Sequence, residues 1–167
     1  MKPDVNKTMS PNNLPLNSLV VASYIAVLCT QKGFTWNNTK IQKLLYCCYG
    51  CVLAGYNERL CDEYPRAWQY GPVFPRVFNH IEKKKTFPLK ADGIETSQEI
   101  KTFIGKVIDV FGKYNAATLS DWSHNPGSPW DIVINIMNAP NSFIPDDMIR
   151  AYFLKNIVKT DAPNAGS

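Results

Sequence analysis

The sequence predicts a mainly α protein: one compact multi-helix domain with at most a small β-hairpin or short extended segment near residues 59–70. Several apolar segments repeat at helical spacing, they are separated by short Gly and Pro punctuation, and neither an internal repeat nor a long linker divides them. A length of 167 residues fits one domain. A content of 45% hydrophobic and 12% aromatic residues excludes a disordered chain.

The predicted domain covers residues 16–159. Residues 1–15 contain Pro3, Pro11 and Pro15 among scattered Asn and Ser without any periodicity, which indicates a flexible leader. Residues 160–167 have the same character and are predicted as a flexible tail.

Two helices are expected at the start of the domain. Asn17 or Ser18 can cap the first helix, which is apolar nearly all round and is therefore predicted to be central in the core. The second helix should run from about residue 39 to 56, with Lys40 and Lys43 on its outer face. A short turn between the two helices predicts that they pack as a helical hairpin.

The helical period stops over residues 59–70, where Pro65 argues against a central strand. Gly71 and Pro72 are then expected to force a turn. Pro75 suits the first turn of a helix that should end in the lysine run 83–85, because positive charge is favourable at a helix C-terminus.

Four further helices are predicted in the second half. The clearest is an amphipathic helix whose apolar residues fall at steps of three and four. The predicted ranges are about 97–114, 118–124, 129 or 130 to about 137, and a last helix that Pro145 opens.

Five cysteines, an odd number without framework spacing, predict reduced thiols in a reducing compartment. Cys48 and Cys51 form a CxxC pair inside a predicted helix, and no second pair or paired His completes a tetrahedral zinc site. We therefore interpret Cys29, Cys47, Cys48, Cys51 and Cys61 as small packing residues and expect no metal.

The predicted location is the cytoplasm. Residues 1–15 lack the apolar run of a signal peptide. No stretch approaches the ~18 uninterrupted apolar residues of a membrane span, so no membrane association is expected.

Catalytic motifs are scarce. Ser120, Asp121, Ser123, His124 and Ser128 include the side-chain types of a hydrolase triad, but a cluster in a short helix and turn more often consists of caps. The sequence has no GxSxG elbow and no GxGxxG or GxxxxGK phosphate loop. We expect a protein that is not an enzyme and needs no cofactor.

Charge leaves two kinds of partner open. Residues 1–90 carry 12 Lys and Arg against 5 Asp and Glu, whereas residues 91–167 carry 6 against 9. This asymmetry is compatible with two ordinary solvated surfaces, with an acidic partner or with nucleic acid. The aromatic and Arg residues around the Gly-Pro turn could stack single-stranded nucleic acid or anchor a protein interface.

Several short motifs, in order and at consistent spacing, resemble the Panacea domain, the SocA-like or phage GepA-like antitoxin family. The first group is Lys40–Tyr46, Asp62–Glu63, Ala67–Val73 and Pro75–Phe78. The second group is Leu119–Ser120, His124, Ser128–Trp130 and the segment Ile144–Phe153. The resemblance covers most of the chain from about residue 16 to 153.

The resemblance implies a helical antitoxin that binds and neutralises a cognate toxin encoded by an adjacent gene, in bacteria or phages. In one branch of the family the antitoxin acts as an adaptor that delivers its toxin to the ClpXP protease. The family implies no catalytic residue and no cofactor. A nucleic-acid-binding regulator that uses the basic N-terminal half is the alternative hypothesis.

The motifs also give the candidate site residues. The candidate partner-binding residues lie around the Gly-Pro turn, where rigid aromatic side chains and Arg are the usual interface anchors: Trp68, Tyr70, Gly71, Pro72, Phe74 and Arg76. The second motif, structural or partner-binding, comprises His124, Ser128, Pro129 and Trp130.

Overall fold

A computed structural model describes residues 11–89 and 94–158 of the chain. Its helices and strands, in chain order, are α1 Ser18–Gln31, α2 Asn38–Tyr56, β1 Arg66–Trp68, β2 Gly71–Val73, α3 Pro75–Glu82, α4 Gln98–Phe111, α5 Ala116–Ser123, α6 Pro129–Asp131 with a π-helical continuation Ile132–Ile136, and α7 Asp146–Asn156. The predicted mainly α architecture with a single small hairpin is confirmed for the described residues.

The packed body includes part of the segment predicted as a leader. The Asn13 side chain donates to the backbone oxygen of Glu95 at 2.7 Å, and Leu14 is buried. Residues 1–10 of the predicted leader and the predicted tail 160–167 lie outside the described residues.

Short polar side chains fix where the helices begin. Each accepts a hydrogen bond from a backbone N–H of the first turn, which would otherwise lack a partner within the helix. Asn17 caps α1 as predicted, and the other caps are Asn37 for α2, Ser97 for α4, Asn115 for α5 and Ser128 for α6.

The central helix of the core is α2, whereas the sequence indicated α1. Every residue of α2 from 40 to 54 is buried, because α1, α3, α4, α5, α7 and β2 all pack around it. In contrast, Val27 of α1 is 41% exposed. The prediction that Lys40 and Lys43 lie outside is wrong for the same reason: both are buried under the surrounding elements.

The closest helix contact joins α2 to α7 at Gly50. A Cβ atom at this position would lie 2.3 Å from Cε1 of the Phe153 ring, well inside van der Waals contact. The absence of a side chain at Gly50 therefore lets α7 approach the central helix. Phe153 is fully buried there, with its ring 5.6 Å from that of Tyr46.

The hairpin lies slightly later than predicted, and its turn is different. Strands β1 and β2 are antiparallel, and Trp68 pairs with Gly71, so Gln69 and Tyr70 form the turn. The prediction that Gly71 and Pro72 form the turn is therefore wrong, because both belong to β2.

Residues 141–144 run along the free edge of β1. The Ala67 N–H donates to Ser142 O at 2.9 Å, and the Asn141 N–H donates to Ala67 O at 2.8 Å. The Ile144 N–H donates to Pro65 O at 2.9 Å. The segment that precedes α7 thus covers an edge that would otherwise expose unpaired backbone groups.

One predicted helix has an unexpected form. The segment expected as an α-helix up to residue 137 is α-helical only over Pro129–Asp131. The Met137 N–H then donates to Ile132 O, five residues back, which is the π pattern. Apolar spacing does not distinguish these two helix types over so few residues.

Among the residues described, no helix has the length and hydropathy that a bilayer crossing requires.

Candidate functional site

The β1–β2 hairpin is fixed to the central helix by two buried polar side chains of α2. Gln42 Oε1 accepts a hydrogen bond from the Phe74 N–H at 2.8 Å. The adjacent Lys43 Nζ donates to Pro72 O at 3.2 Å. Since both side chains are buried, these bonds hold the strand β2 and the start of α3 at a defined place on α2.

Gly71 is the point of closest contact between the hairpin and the helices. Its φ angle is +121°, a conformation that side-chain-bearing residues rarely adopt. A Cβ atom here would lie 2.6 Å from Lys43 Cε and 2.7 Å from Ser123 Oγ. Both the backbone conformation and the available space therefore require glycine.

The second sequence motif meets the hairpin through stacked rings. The His124 ring lies on the indole of Trp130, with centroids 3.7 Å apart and planes 12° from parallel. The Trp130 Nε1–H donates to the backbone oxygen of Trp68 at 2.6 Å. This bond joins residues 62 positions apart, so the two motif groups form one structural unit.

Burial lowers the pKa of His124, and the charge of Lys43 lowers this pKa further, while an interaction with the Tyr70 backbone raises it. The imidazole is therefore neutral at pH 7. Its Nε2 atom is buried and has no hydrogen-bond partner among the described residues.

The serines of the triad-like cluster serve local structure. Ser123 Oγ donates to Ser120 O at 2.7 Å, and Ser128 Oγ donates to Ser123 O at 2.9 Å. Ser128 Oγ also accepts from the Asp131 N–H and caps α6. The expectation that this cluster consists of caps is confirmed for Ser128.

A pocket of about 350 Å³ opens beside the hairpin, and we call it the hairpin pocket. Its walls include Gln42 and Lys43 of α2, Trp68, Tyr70 and Val73 of the hairpin, and Phe78 of α3. Burial lowers the pKa of Lys43 to about 8, and Cys47 acts in the opposite direction. At neutral pH this wall residue therefore carries a charged ammonium group that is shielded from solvent.

Exposed aromatic side chains and the half-buried Arg66 lie along the other parts of the hairpin. Tyr70, at the turn, is 67% exposed. The Arg66 guanidinium lies 4.0 Å from the centre of the exposed Phe143 ring, and Tyr64 packs edge-on against that ring at 5.8 Å. We call Tyr64, Arg66, Trp68, Tyr70 and Phe143 the hairpin surface.

Trp68 is half-buried and held in place by two contacts. Its Nε1–H donates to Asn141 Oδ1 at 2.8 Å. Its ring packs edge-on against Phe78 at 5.3 Å. The tryptophan is therefore both a wall of the hairpin pocket and a part of the hairpin surface.

Two other residues predicted as partner-binding anchors have structural contacts. Phe74 was expected to be exposed, but it is fully buried, because its ring packs against Tyr49 at 5.5 Å in the core. Arg76 is exposed, and its guanidinium donates to Asp62 at 2.8 Å and to Ser18 at 3.0 Å. Gly71 and Pro72 are buried.

The Asp62–Glu63 motif joins the N-termini of two helices. Asp62 Oδ1 accepts from the Ser18 N–H at the start of α1. Glu63 accepts from the Arg76 N–H in the first turn of α3. Carboxylates are favourable at helix N-termini, so this motif stabilises the helix starts and fixes the path of the chain before the hairpin.

All five cysteines are buried free thiols. Burial raises the pKa of each, which keeps them protonated at neutral pH. Within residues 11–89 and 94–158, no group of three or more His, Cys, Asp or Glu side chains is placed to hold a metal ion.

The sequence did not reveal Lys43, Tyr64 or Phe143 as site residues. For Lys43 no signal was present, because Lys40, Gln42 and Lys43 form an ordinary polar pattern at the start of α2. For Phe143 there was none either, because its contact with Arg66 depends on a pairing between residues 77 positions apart.

Fold and site together define a small helical domain in which two distant motifs converge on one hairpin. The family model "Antitoxin SocA-like, Panacea domain" matches residues 41–131, just over half of the chain, and the chain belongs to this family. It is also similar to Antitoxin SocA of Caulobacter vibrioides (strain NA1000 / CB15N), with 28% identity over 113 residues. That match covers 59% of this chain and 60% of the relative's length. No solved structure matches the chain.

Proposed function

We propose that this protein is a cytoplasmic antitoxin that binds a cognate toxin protein through the hairpin surface and neutralises it without catalysis. The observation that carries the proposal is that the family's two motif groups converge on a hairpin flanked by exposed Tyr70 and Phe143 and by half-buried Arg66. The similarity to a protein named Antitoxin SocA supports the same function.

The composition of the hairpin surface favours a protein partner. Tyr, Trp and Arg are enriched among residues that dominate binding energy, and such residues cluster near the centre of an interface. Tyr70 and Phe143 are 67% and 52% exposed, so both rings are accessible to a partner. A partner that covers these rings would remove this area from solvent.

The hairpin surface is also preorganised. Lys43 and Gln42 fix β2 from below, Trp130 donates to the Trp68 carbonyl, and residues 141–144 pair with β1. A rigid surface loses little conformational entropy when it binds, which leaves more of the contact energy as affinity.

Coexpression with each adjacent gene tests the proposal. The expected result is rescue of growth by this protein when one neighbouring gene encodes a toxin, together with a complex that co-purifies. Tyr70→Ala and Phe143→Ala should each cost about 2 kcal/mol of binding, roughly a 30-fold loss of affinity, and should reduce rescue.

Tyr114→Ala is the matched control, because Tyr114 is 40% exposed and has a lysine ammonium over its ring but follows the end of α4. Its complex should keep full affinity. Circular dichroism of every variant must show the wild-type fold. Full affinity in both hairpin-surface variants would refute the proposed binding surface.

Neutralisation can proceed by sequestration or by delivery to ClpXP, and toxin lifetime distinguishes these modes. Under sequestration, the toxin should persist when this protein is expressed and translation is stopped. Under delivery, the toxin should disappear, and deletion of the protease should stabilise it.

A nucleic-acid-binding regulator is the alternative, since Lys83, Lys84 and Lys85 are exposed at the end of α3. Binding to nucleic acid would weaken steeply with salt, because phosphate contacts release counterions. Loss of all activity in a triple Lys→Ala variant, with full activity in the hairpin-surface variants, would favour this alternative.

A further inference from the structure

The hairpin pocket combines apolar walls with a single charged group. Among the described residues that line it, Lys43 carries the only charge, and Trp68, Tyr70, Val73 and Phe78 contribute the apolar surface. A volume of about 350 Å³ lies at the lower end of the range of ligand sites, which suits one or two side chains.

The ammonium group has unused hydrogen-bonding capacity. It carries three N–H donors, and the hydrogen bonds of the described residues use one of them, to Pro72 O at 3.2 Å. The lysine is 1% exposed, so solvent gives little compensation for its charge. A buried cation in this situation is costly, and an anion that entered the pocket would reduce the cost.

We propose that the hairpin pocket is a subsite for an acidic side chain of the bound protein, whose carboxylate pairs with Lys43. This inference rests on the proposed protein-binding function and specifies the chemistry of one anchor. The methylene groups of a Glu or Asp side chain would contact Trp68 and Phe78, and Gln42 could donate a second hydrogen bond. The sequence of the partner is then constrained to present an acidic residue opposite the hairpin.

An acidic side chain fits better than a chain terminus. Terminal carboxylates are usually captured by successive backbone N–H groups. The walls of the hairpin pocket instead include five residues with polar side chains, namely Thr39, Gln42, Lys43, Gln69 and Tyr70.

A first experiment needs no toxin. The probes are N-acetylglutamate N-methylamide and its neutral analogue N-acetylglutamine N-methylamide, added to the full-length protein. Binding is followed by NMR at the Trp68 indole N–H and the Gln42 side-chain amide. The acidic probe should give saturable shifts with at least about tenfold higher affinity than the neutral probe, because charge-assisted hydrogen bonds are the stronger ones.

Lys43→Met removes the charge and keeps an unbranched apolar side chain, and it should abolish the preference for the acidic probe. Lys85→Met, at an exposed lysine outside the pocket, is the matched control and should bind like the wild type. If Lys43→Met does not fold, Lys43→Gln replaces it. Equal affinity for both probes, no saturable shift up to the solubility limit, or a preference that survives in the folded Lys43 variant would overturn the proposal.

A second experiment uses the complex purified by coexpression. Lys43→Met should weaken it about tenfold or more, and changing one partner Glu or Asp to Gln or Asn should cause no further loss in the Lys43→Met background. Amidation of the partner's last residue could be the only partner change whose effect on affinity disappears in the Lys43→Met background. That result would assign the pocket to a terminal carboxylate and refute the side-chain proposal. If the wild-type complex forms but the effects of Lys43→Met and of every partner carboxylate change simply add, the subsite alone is refuted. Absence of a complex would refute the proposed function.

Discussion

Replacing Gly71 by alanine should destabilise the fold more than the same change at any positive-φ glycine that has free space around it. At φ +121° a non-glycine residue adds about 1–3 kcal/mol of backbone strain. The new Cβ would also overlap Lys43 Cε at 2.6 Å and Ser123 Oγ at 2.7 Å. Overpacking of this kind typically adds about 1–3 kcal/mol, so the total loss is roughly 2–6 kcal/mol.

Three other glycines separate the two contributions. Gly33 and Gly127 both have φ of +83°, and a Cβ at either would meet nothing within 4 Å, so Gly→Ala there measures backbone strain alone. Gly105, within α4, has open space as well, and Gly105→Ala should stabilise the protein by about 0.5–1 kcal/mol. The excess cost at Gly71 over Gly33 then combines the overlap with the additional strain of φ +121° relative to +83°.

Urea denaturation followed by circular dichroism gives the free energy of unfolding of each variant. Ser123→Ala removes one of the two overlapping atoms, so the cost of Gly71→Ala should be smaller in that background. If Gly71→Ala costs no more than Gly33→Ala, the close contact between hairpin and helices does not determine the residue at this position, and the reasoning fails.

Two further predictions concern the same site. Burial lowers the pKa of Lys43 in the folded protein to about 8, from its ordinary value of 10.5. The unfolded chain therefore binds more protons between these pH values, and this group makes stability rise with pH there. Lys43→Met should therefore raise the free energy of unfolding most below pH 8, by up to about 3 kcal/mol relative to the wild type, and this advantage should vanish by pH 10.5. A difference in the free energy of unfolding that does not change with pH would contradict this prediction. Trp130→Phe leaves the Trp68 carbonyl without its donor and should cost about 1–3 kcal/mol in urea denaturation. The matched change Trp36→Phe, which removes a long 3.3 Å bond to an exposed position, should cost less, and equal losses would show that the Trp130 bond is not special.

The helix boundaries could be predicted because their signals are local. Asn17 and Ser97 cap their helices with their own side chains, and Pro75 begins α3 through its fixed φ. Such signals act within one turn of helix and do not depend on the rest of the fold. The positions of these elements were accordingly close to those expected.

The central position of α2 could not be predicted, because α1 is the more apolar of the two helices. Burial of α2 depends on six neighbouring elements, and it includes two lysines that any periodicity argument places outside. Phe74 is a similar case. It follows an extended strand, and only the contact with Tyr49 places it in the core.

The candidate site was predicted in part. The sequence indicated the Trp68 to Arg76 region and the His124 to Trp130 motif, but not that Trp130 donates to the Trp68 carbonyl. Nor did it indicate the pairing that brings Phe143 to Arg66. Contacts between distant segments decide both features, and a single sequence carries little information about them.

The buried thiols give the protein an internal reporter of local opening. Alkylating reagents attack thiolates, and here every thiol is both covered and held protonated, so modification requires the surrounding structure to open first. Cys29 lies in α1, Cys47, Cys48 and Cys51 in α2, and Cys61 ahead of the hairpin. The order in which mass spectrometry finds these positions alkylated would therefore show which part of the domain opens first, without any engineered label.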